Sequence, residues 1–147
     1  MCGLKKYNKD VSVLQYLQTF DIIGLVETWG DHLYQFETFL TGYTCFESIR
    51  VKGVYSMRNS GGLAVFVKSK YVIDKLVKRI FPELQDCIVL RLKCSVFTNL
   101  PDVIIMFTYV SPEGSTIYHE REYTNGYNML MTAYNQYGIY ILETCSI

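Results

Sequence analysis

The sequence predicts an α/β fold in a single domain covering residues 1–147, and three observations lead there. The chain has 147 residues, close to the ~150 residues of one ordinary domain. Several short, nearly continuous apolar runs have the length and composition of strands in a buried sheet. Between and before them lie segments whose apolar residues recur at three- and four-residue steps, the period of a helix packed along one side. Helix and strand patterns interleave, with strand content dominating the middle of the chain.

Taken in order, residues 9–20 place Val11, Leu14, Leu17 and Phe20 at three-residue steps and predict an amphipathic helix. Asp10 or Ser12 can cap its start, because a short side-chain oxygen accepts from the first unpaired amides. Asp21-Ile22-Ile23-Gly24-Leu25-Val26 follows as a strand buried on both faces, and Glu27-Thr28-Trp29-Gly30 ends it. A shorter helix is expected over 32–40, with Leu33, Phe36 and Leu40 on one side, and a strand over 42–46. The polar, glycine-bearing stretch 52–61 is a loop. Strands are expected at 62–68, at 86–94 and at 103–109. In the second of these, Ile88, Leu90 and Leu92 share one face and Val89, Arg91 and Lys93 the other. Residues 111–115 form a loop, 119–136 a helix carrying Tyr123, Tyr127, Leu130, Met131 and Tyr134, and 139–142 a final strand.

Composition narrows the possibilities. The chain is 50% hydrophobic and 19% charged, which excludes intrinsic disorder. Fourteen basic residues balance 14 acidic ones, so bulk charge offers no grip on nucleic acid or acidic lipid, and polyanion binding has to be local or metal-assisted. No apolar run approaches the ~20 residues of a membrane helix. The start, Met1-Cys2-Gly3-Leu4-Lys5-Lys6, has no signal-peptide core. These features lead us to expect an intracellular protein, nuclear or cytoplasmic, with no membrane partner. The five cysteines, at 2, 45, 87, 94 and 145, show neither zinc-knuckle spacing nor a disulfide framework and read as small hydrophobes.

Four blocks then occur in a telling order: Cys2-Gly3-Leu4, Asp21 to Gly30 (DIIGLVETWG), Gly61 to Lys68 (GGLAVFVK) and Thr108 to Ser115 (TYVSPEGS). Together they resemble the endonuclease/exonuclease/phosphatase (DNase I-like) family. More narrowly, they resemble the apurinic-endonuclease-like domain of non-LTR (LINE-type) retrotransposon polyproteins. The resemblance runs from residue 2 to about residue 142. It implies a four-layer α/β sandwich, two packed mixed sheets flanked by helices, here truncated. The family's first-strand asparagine would fall before Met1. Its Gly-Asp-x-Asn is replaced after the last strand by Glu143-Thr144-Cys145-Ser146, and its Ser-Asp-His has no counterpart. A sandwich without those parts is expected to self-associate through exposed sheet edges.

The resemblance further implies Mg²⁺ as cofactor and DNA as partner. Glu27 matches the family's metal-ligating glutamate, and Mg²⁺ is a hard cation held by one or two carboxylates with phosphate and water. From spacing alone, a cap on the helix near Asp31 or a solvated carboxylate is the favoured reading. Tyr109 matches the family's catalytic tyrosine, a neutral phenol that donates to the scissile phosphate. Among 13 tyrosines, packing is the alternative. Arg58, Asn59 and Ser60 precede Gly61-Gly62 and could touch a phosphate backbone or form a solvated turn. Lys68, Lys70, Lys75, Lys78 and Arg79 read as a solvated charged face. Glu27 and Tyr109 are expected at one end of the sandwich, but the Asp–His water activator is missing. The expectation is therefore a Mg²⁺-dependent DNA endonuclease domain of retrotransposon origin, inactive alone. The alternative is a non-catalytic interaction module or pseudogene product derived from it.

Overall fold

The computed structural model describes residues 10–28, 38–49, 61–84, 87–93, 102–108, 128, 131 and 141–144. They form a helix α1 (Val11–Leu17), strands β1 (Ile22–Val26), β2 (Tyr43–Ser48) and β3 (Leu63–Lys68), a short helix α2 (Ser69–Ile73), and strands β4 (Val77–Ile80), β5 (Cys87–Leu92), β6 (Val103–Thr108) and β7 (Ile141–Thr144). Asn128 and Met131 are also helical. No described helix is long and apolar enough to cross a membrane.

Two sheets result, one in the order β1-β3-β2 and one in the order β4-β5-β6-β7. Their inner faces meet in one apolar cluster, Leu63, Val65 and Val67 of β3 against Val77, Ile88, Leu90, Leu92, Val103 and Phe107 of the second sheet. The alternation of side chains along a strand makes this possible, sending every second residue of β3 and β5 inward. The other residues of β3 point out: Ala64 and Phe66 pack with Ile23, Phe39 and Leu40 under Leu14 and Leu17 of α1. On the far side Cys87, Val89, Ile104 and Met106 form a third cluster with Ile80, Phe81 and Leu84. The expected separation of Ile88, Leu90 and Leu92 from Val89 and Arg91 is therefore observed, with Val89 buried on its own face. Cys87 is buried and Cys45 half-buried, both among apolar neighbours.

The registers fix which strand ends share an end of the molecule. β1 and β2 both run antiparallel to β3, with Val26 and Ser48 both opposite Leu63. After β3, the Ser69 hydroxyl meets Thr44 Oγ1 at 3.1 Å. Ten residues on, Arg79 of β4 reaches the Glu47 carbonyl at 3.0 Å. The chain has thus advanced along β2, so β4 runs with β1 and β2. β5 is antiparallel to β4, and β6 antiparallel to β5. β7 is parallel to β6. The strands β1, β2, β4, β6 and β7 consequently all end at one end of the sandwich.

Several expectations require correction. α1 is shorter than residues 9–20, and Val11 and Phe20 at its margins are 64% and 43% exposed. Steps of three residues fall short of a 3.6-residue turn, so over nine residues the stripe drifts to the opposite side of the helix. Asp10 is the cap, accepting from the Ser12 and Val13 amides. β1 is not buried on both faces: only Ile23 is buried within it. Among the described residues it stands last in its sheet, Gly24 has no side chain, and Val26 is 40% exposed. The expected solvated basic face holds for Lys70, Lys75 and Lys78, which are exposed on α2, the turn after it and β4, but not for Arg79. Arg79 is half-buried between the sheets, its guanidinium bonded to the carbonyls of Glu47 and Pro82. Among the described residues the first sheet is antiparallel, and the second is mixed, through β6 and β7. β2 continues to Ser48, and the last strand includes Glu143 and Thr144. Within the helix expected over 32–40, residues 32–37 lie outside the described residues, and Thr38–Leu40 are in turns and bends.

Candidate functional site

Glu27 follows β1 directly, at the end of the sandwich where five strands finish. Its placement is set by the β1–β3 ladder, which registers Ile22 to Val26 against Val67 to Leu63. Past the last rung the backbone turns sharply. Glu27 has φ 55°, and Gly61 and Gly62, which lead into β3, have φ 74° and 88°. Glycine adopts this left-handed region readily, whereas a side-chain-bearing residue is strained there. Two hydrogen bonds hold the turn: the Thr28 amide donates to the Gly62 carbonyl at 3.3 Å, and the Gly61 amide donates to Glu27 Oε2 at 3.2 Å. Gly61, Gly62 and Thr28 are buried and Glu27 is exposed. The carboxylate thus leaves the ladder at a solvent-facing position while one oxygen satisfies a buried amide.

Across the sandwich, Gly24 of β1 lies against the ring of Phe107 of β6. A Cβ added at Gly24 would stand 2.5 Å from Phe107 Cε1, so contact this close depends on glycine. Phe107 precedes Tyr109 by two residues and Gly24 precedes Glu27 by three. β1 and β6 run in the same direction and are pinned together near their ends. Tyr109 itself lies outside the described residues, as do Arg58, Asn59 and Ser60.

As a donor for Mg²⁺, Glu27 supplies a hard oxygen on a rigid strand end, which fits one of the one or two carboxylates such a site uses. Among the described residues, no three His, Cys, Asp or Glu side chains come together as a metal site. Two ion pairs mark the other end of the strands. The Arg91 guanidinium is bonded through Nε and Nη2 to Asp102 Oδ2 at the opposite end of β5 and β6. Lys68 pairs with Asp21 at 2.8 Å, also at the far end of the first sheet. That hydrogen bond holds the Asp21 carboxyl below the usual carboxylate range and raises the Lys68 ammonium.

Sequence reasoning missed the tie between Glu27 and Gly61. The adjacent pair Gly61-Gly62 before an apolar strand was the available signal, because consecutive glycines mark backbone that needs positive φ. No protein-family model matches the chain, and a search of curated proteins finds no match.

Proposed function

We propose that the chain is derived from a Mg²⁺-dependent phosphodiesterase, a DNA endonuclease domain of the retrotransposon type, with the four-layer DNase I-like sandwich as its parent fold. In this form it does not cleave DNA by itself. The observation carrying the reading is the strained, solvent-facing Glu27 at the shared end of β1 and β6. Two residues beyond the Phe107 contact, β6 leads into Tyr109. Non-glycine residues held at positive φ cluster at functional positions, because surrounding structure must maintain them against their strain. Two packed sheets, with α1 over one outer face, agree with the parent architecture.

The division of roles follows from chemistry. Mg²⁺ would supply charge stabilisation at a phosphoryl oxygen. Glu27 would serve as one oxygen ligand, and Tyr109 would donate its phenolic proton in a hydrogen bond to the phosphate. Hydrolysis also needs a group that deprotonates water, and the sequence contains neither Ser-Asp-His nor Gly-Asp-x-Asn. Loss of such a group commonly removes orders of magnitude in rate, and non-additively.

The test is nicking of supercoiled plasmid with Mg²⁺, alongside binding of Mn²⁺ as a paramagnetic substitute. We expect no nicking above background and weak Mn²⁺ binding that Glu27→Ala abolishes. Nicking that disappears in Glu27→Ala would overturn the claim of inactivity. Mn²⁺ binding indifferent to Glu27, or absent, would overturn the cation role. Self-association belongs to the same proposal, since β1 is the last strand of its sheet among the described residues. Sedimentation at a single 17.1 kDa mass at every concentration would refute it.

A further inference from the structure

We infer that the Gly61 backbone amide is a positioning group for Glu27, and that cation binding at this end of the sandwich depends on it. This rests on the reading of Glu27 as a cation ligand. The Gly61 amide donates to Glu27 Oε2 at 3.2 Å across 34 residues of chain. The donor is buried, whereas the carboxylate is exposed. A buried amide needs a partner, so the bond is anchored from the inside and the carboxylate is held from behind. The anchor is stiff as well. Gly61 and Gly62 are locked at φ 74° and 88°, and the Gly62 carbonyl accepts from the Thr28 amide at 3.3 Å. Gly61 thus holds the Glu27 side chain while Gly62 holds the backbone of the next residue, Thr28.

A glutamate side chain has three rotatable bonds before its oxygens, and fixing them on cation binding opposes that binding entropically. The Gly61 amide removes part of this freedom beforehand. Hydrogen bonds to ligating carboxylates act this way in metal sites, and losing them typically weakens binding about 10–100-fold. Conformation explains why position 61 is glycine. At φ 74° a β-branched residue is excluded, whereas asparagine tolerates the left-handed region.

The experiment compares wild type, Glu27→Ala, Gly61→Val and Gly61→Asn. Mn²⁺ affinity is read from paramagnetic broadening of the amides at 26–28 and 61–62. Melting temperature and the exchange rates of β5 amides report the fold. We expect Gly61→Val to bind Mn²⁺ about 10–100-fold more weakly, with β5 protection retained, and Gly61→Asn to restore binding close to wild type. Without any cation, Glu27→Ala should speed exchange at the Gly61 amide and leave β5 unchanged. The inference is overturned if Gly61→Val binds as wild type does, or if Glu27→Ala leaves Gly61 exchange unaltered. Should Gly61→Val fail to fold, the Glu27→Ala exchange measurement still decides. A wild type that binds no Mn²⁺ overturns the cation reading of Glu27 along with the inference. Failure of the positioning step alone looks different, because the wild type then binds.

Discussion

Gly24→Ala is the most direct probe of how the two sheets are held together beneath the candidate site. The new methyl carbon would lie 2.5 Å from Phe107 Cε1 and nearer still to Cδ1. Carbon atoms rest at about 3.5–4.0 Å, so the overlap is on the order of 1 Å. The Phe107 ring is 7% exposed and packed in the inter-sheet cluster with Leu63, Val65, Ile88 and Leu90. It can yield only by displacing those neighbours or by pushing β1 outward. Overpacking of this kind costs about 1–3 kcal/mol. Replacing glycine also restricts the unfolded chain, which returns about 0.4–1 kcal/mol. The net expectation is a loss of about 1–2 kcal/mol, a fall in Tm of about 3–6 °C for a domain of this size.

Thermal and urea unfolding followed by circular dichroism measure the change. The cause is separated by a second substitution. In the Phe107→Leu background the ring edge is gone, so Gly24→Ala should cost less by about 1 kcal/mol, within the usual range for coupled contacts. A Tm that stays the same or rises in Gly24→Ala, or the absence of coupling with Phe107→Leu, would refute the close approach of β1 and β6. It would also remove the pinning of β1 and β6 beneath Glu27.

Three further outcomes follow from named contacts. Arg79→Ala removes two guanidinium bonds to the carbonyls of Glu47 and Pro82 and should lower unfolding free energy by about 1.5–3 kcal/mol in urea titrations; a change under half that would show that the inter-sheet strut contributes little. Glu27→Ala and Glu27→Gly both delete the acceptor for the Gly61 amide, but only glycine relieves φ 55°, so the glycine variant should be the more stable of the two by about 1 kcal/mol; equal stabilities would mean the turn is not strained. Asp21 is held below its usual range chiefly by the Lys68 hydrogen bond, so the unfolded state takes up that proton first. The pair's contribution is present above about pH 4 and is lost as pH falls through the lower folded value. Lys68 is raised above 10.5, so on the alkaline side the contribution is lost only beyond that. Asp21→Asn should lower stability modestly at neutral pH and converge on wild type as pH falls through the acid limb; a large loss at neutral pH would contradict the exposed character of this pair.

Apolar runs made most of the sheet legible in advance. Leu63–Lys68, Cys87–Leu92 and Val103–Thr108 announce themselves because side chains on both faces of each strand are apolar and the sheets are covered on both sides. β4 was hidden because its central residues are Lys78 and Arg79, and Arg79 enters the inter-sheet space as a cation satisfied by carbonyls rather than as a hydrophobe. Side-chain periodicity carries no trace of such a residue, since its burial depends on where another strand's carbonyl lies. β1 misled in the opposite sense. Ile22-Ile23-Gly24-Leu25-Val26 reads as a fully buried strand, yet the glycine marks where Phe107 takes the place of a missing side chain. Glu27 was found through a motif, but its left-handed backbone and its bond to Gly61 depend on pairing between segments 34 residues apart.

The shared feature of these misses is that they involve groups whose role is set by register rather than by local pattern. Under the proposed derivation, register would also explain how a site outlasts part of its chemistry. Glu27 is placed by five rungs of the β1–β3 ladder, by the Gly61 amide and by the close packing of Gly24 on Phe107. Each of those also stabilises the fold, so selection for folding alone maintains the carboxylate's position. Under the proposed derivation, the first groups to go are those that contribute only to catalysis. A ligand built into a ladder end persists, together with the strain at φ 55° that its position entails.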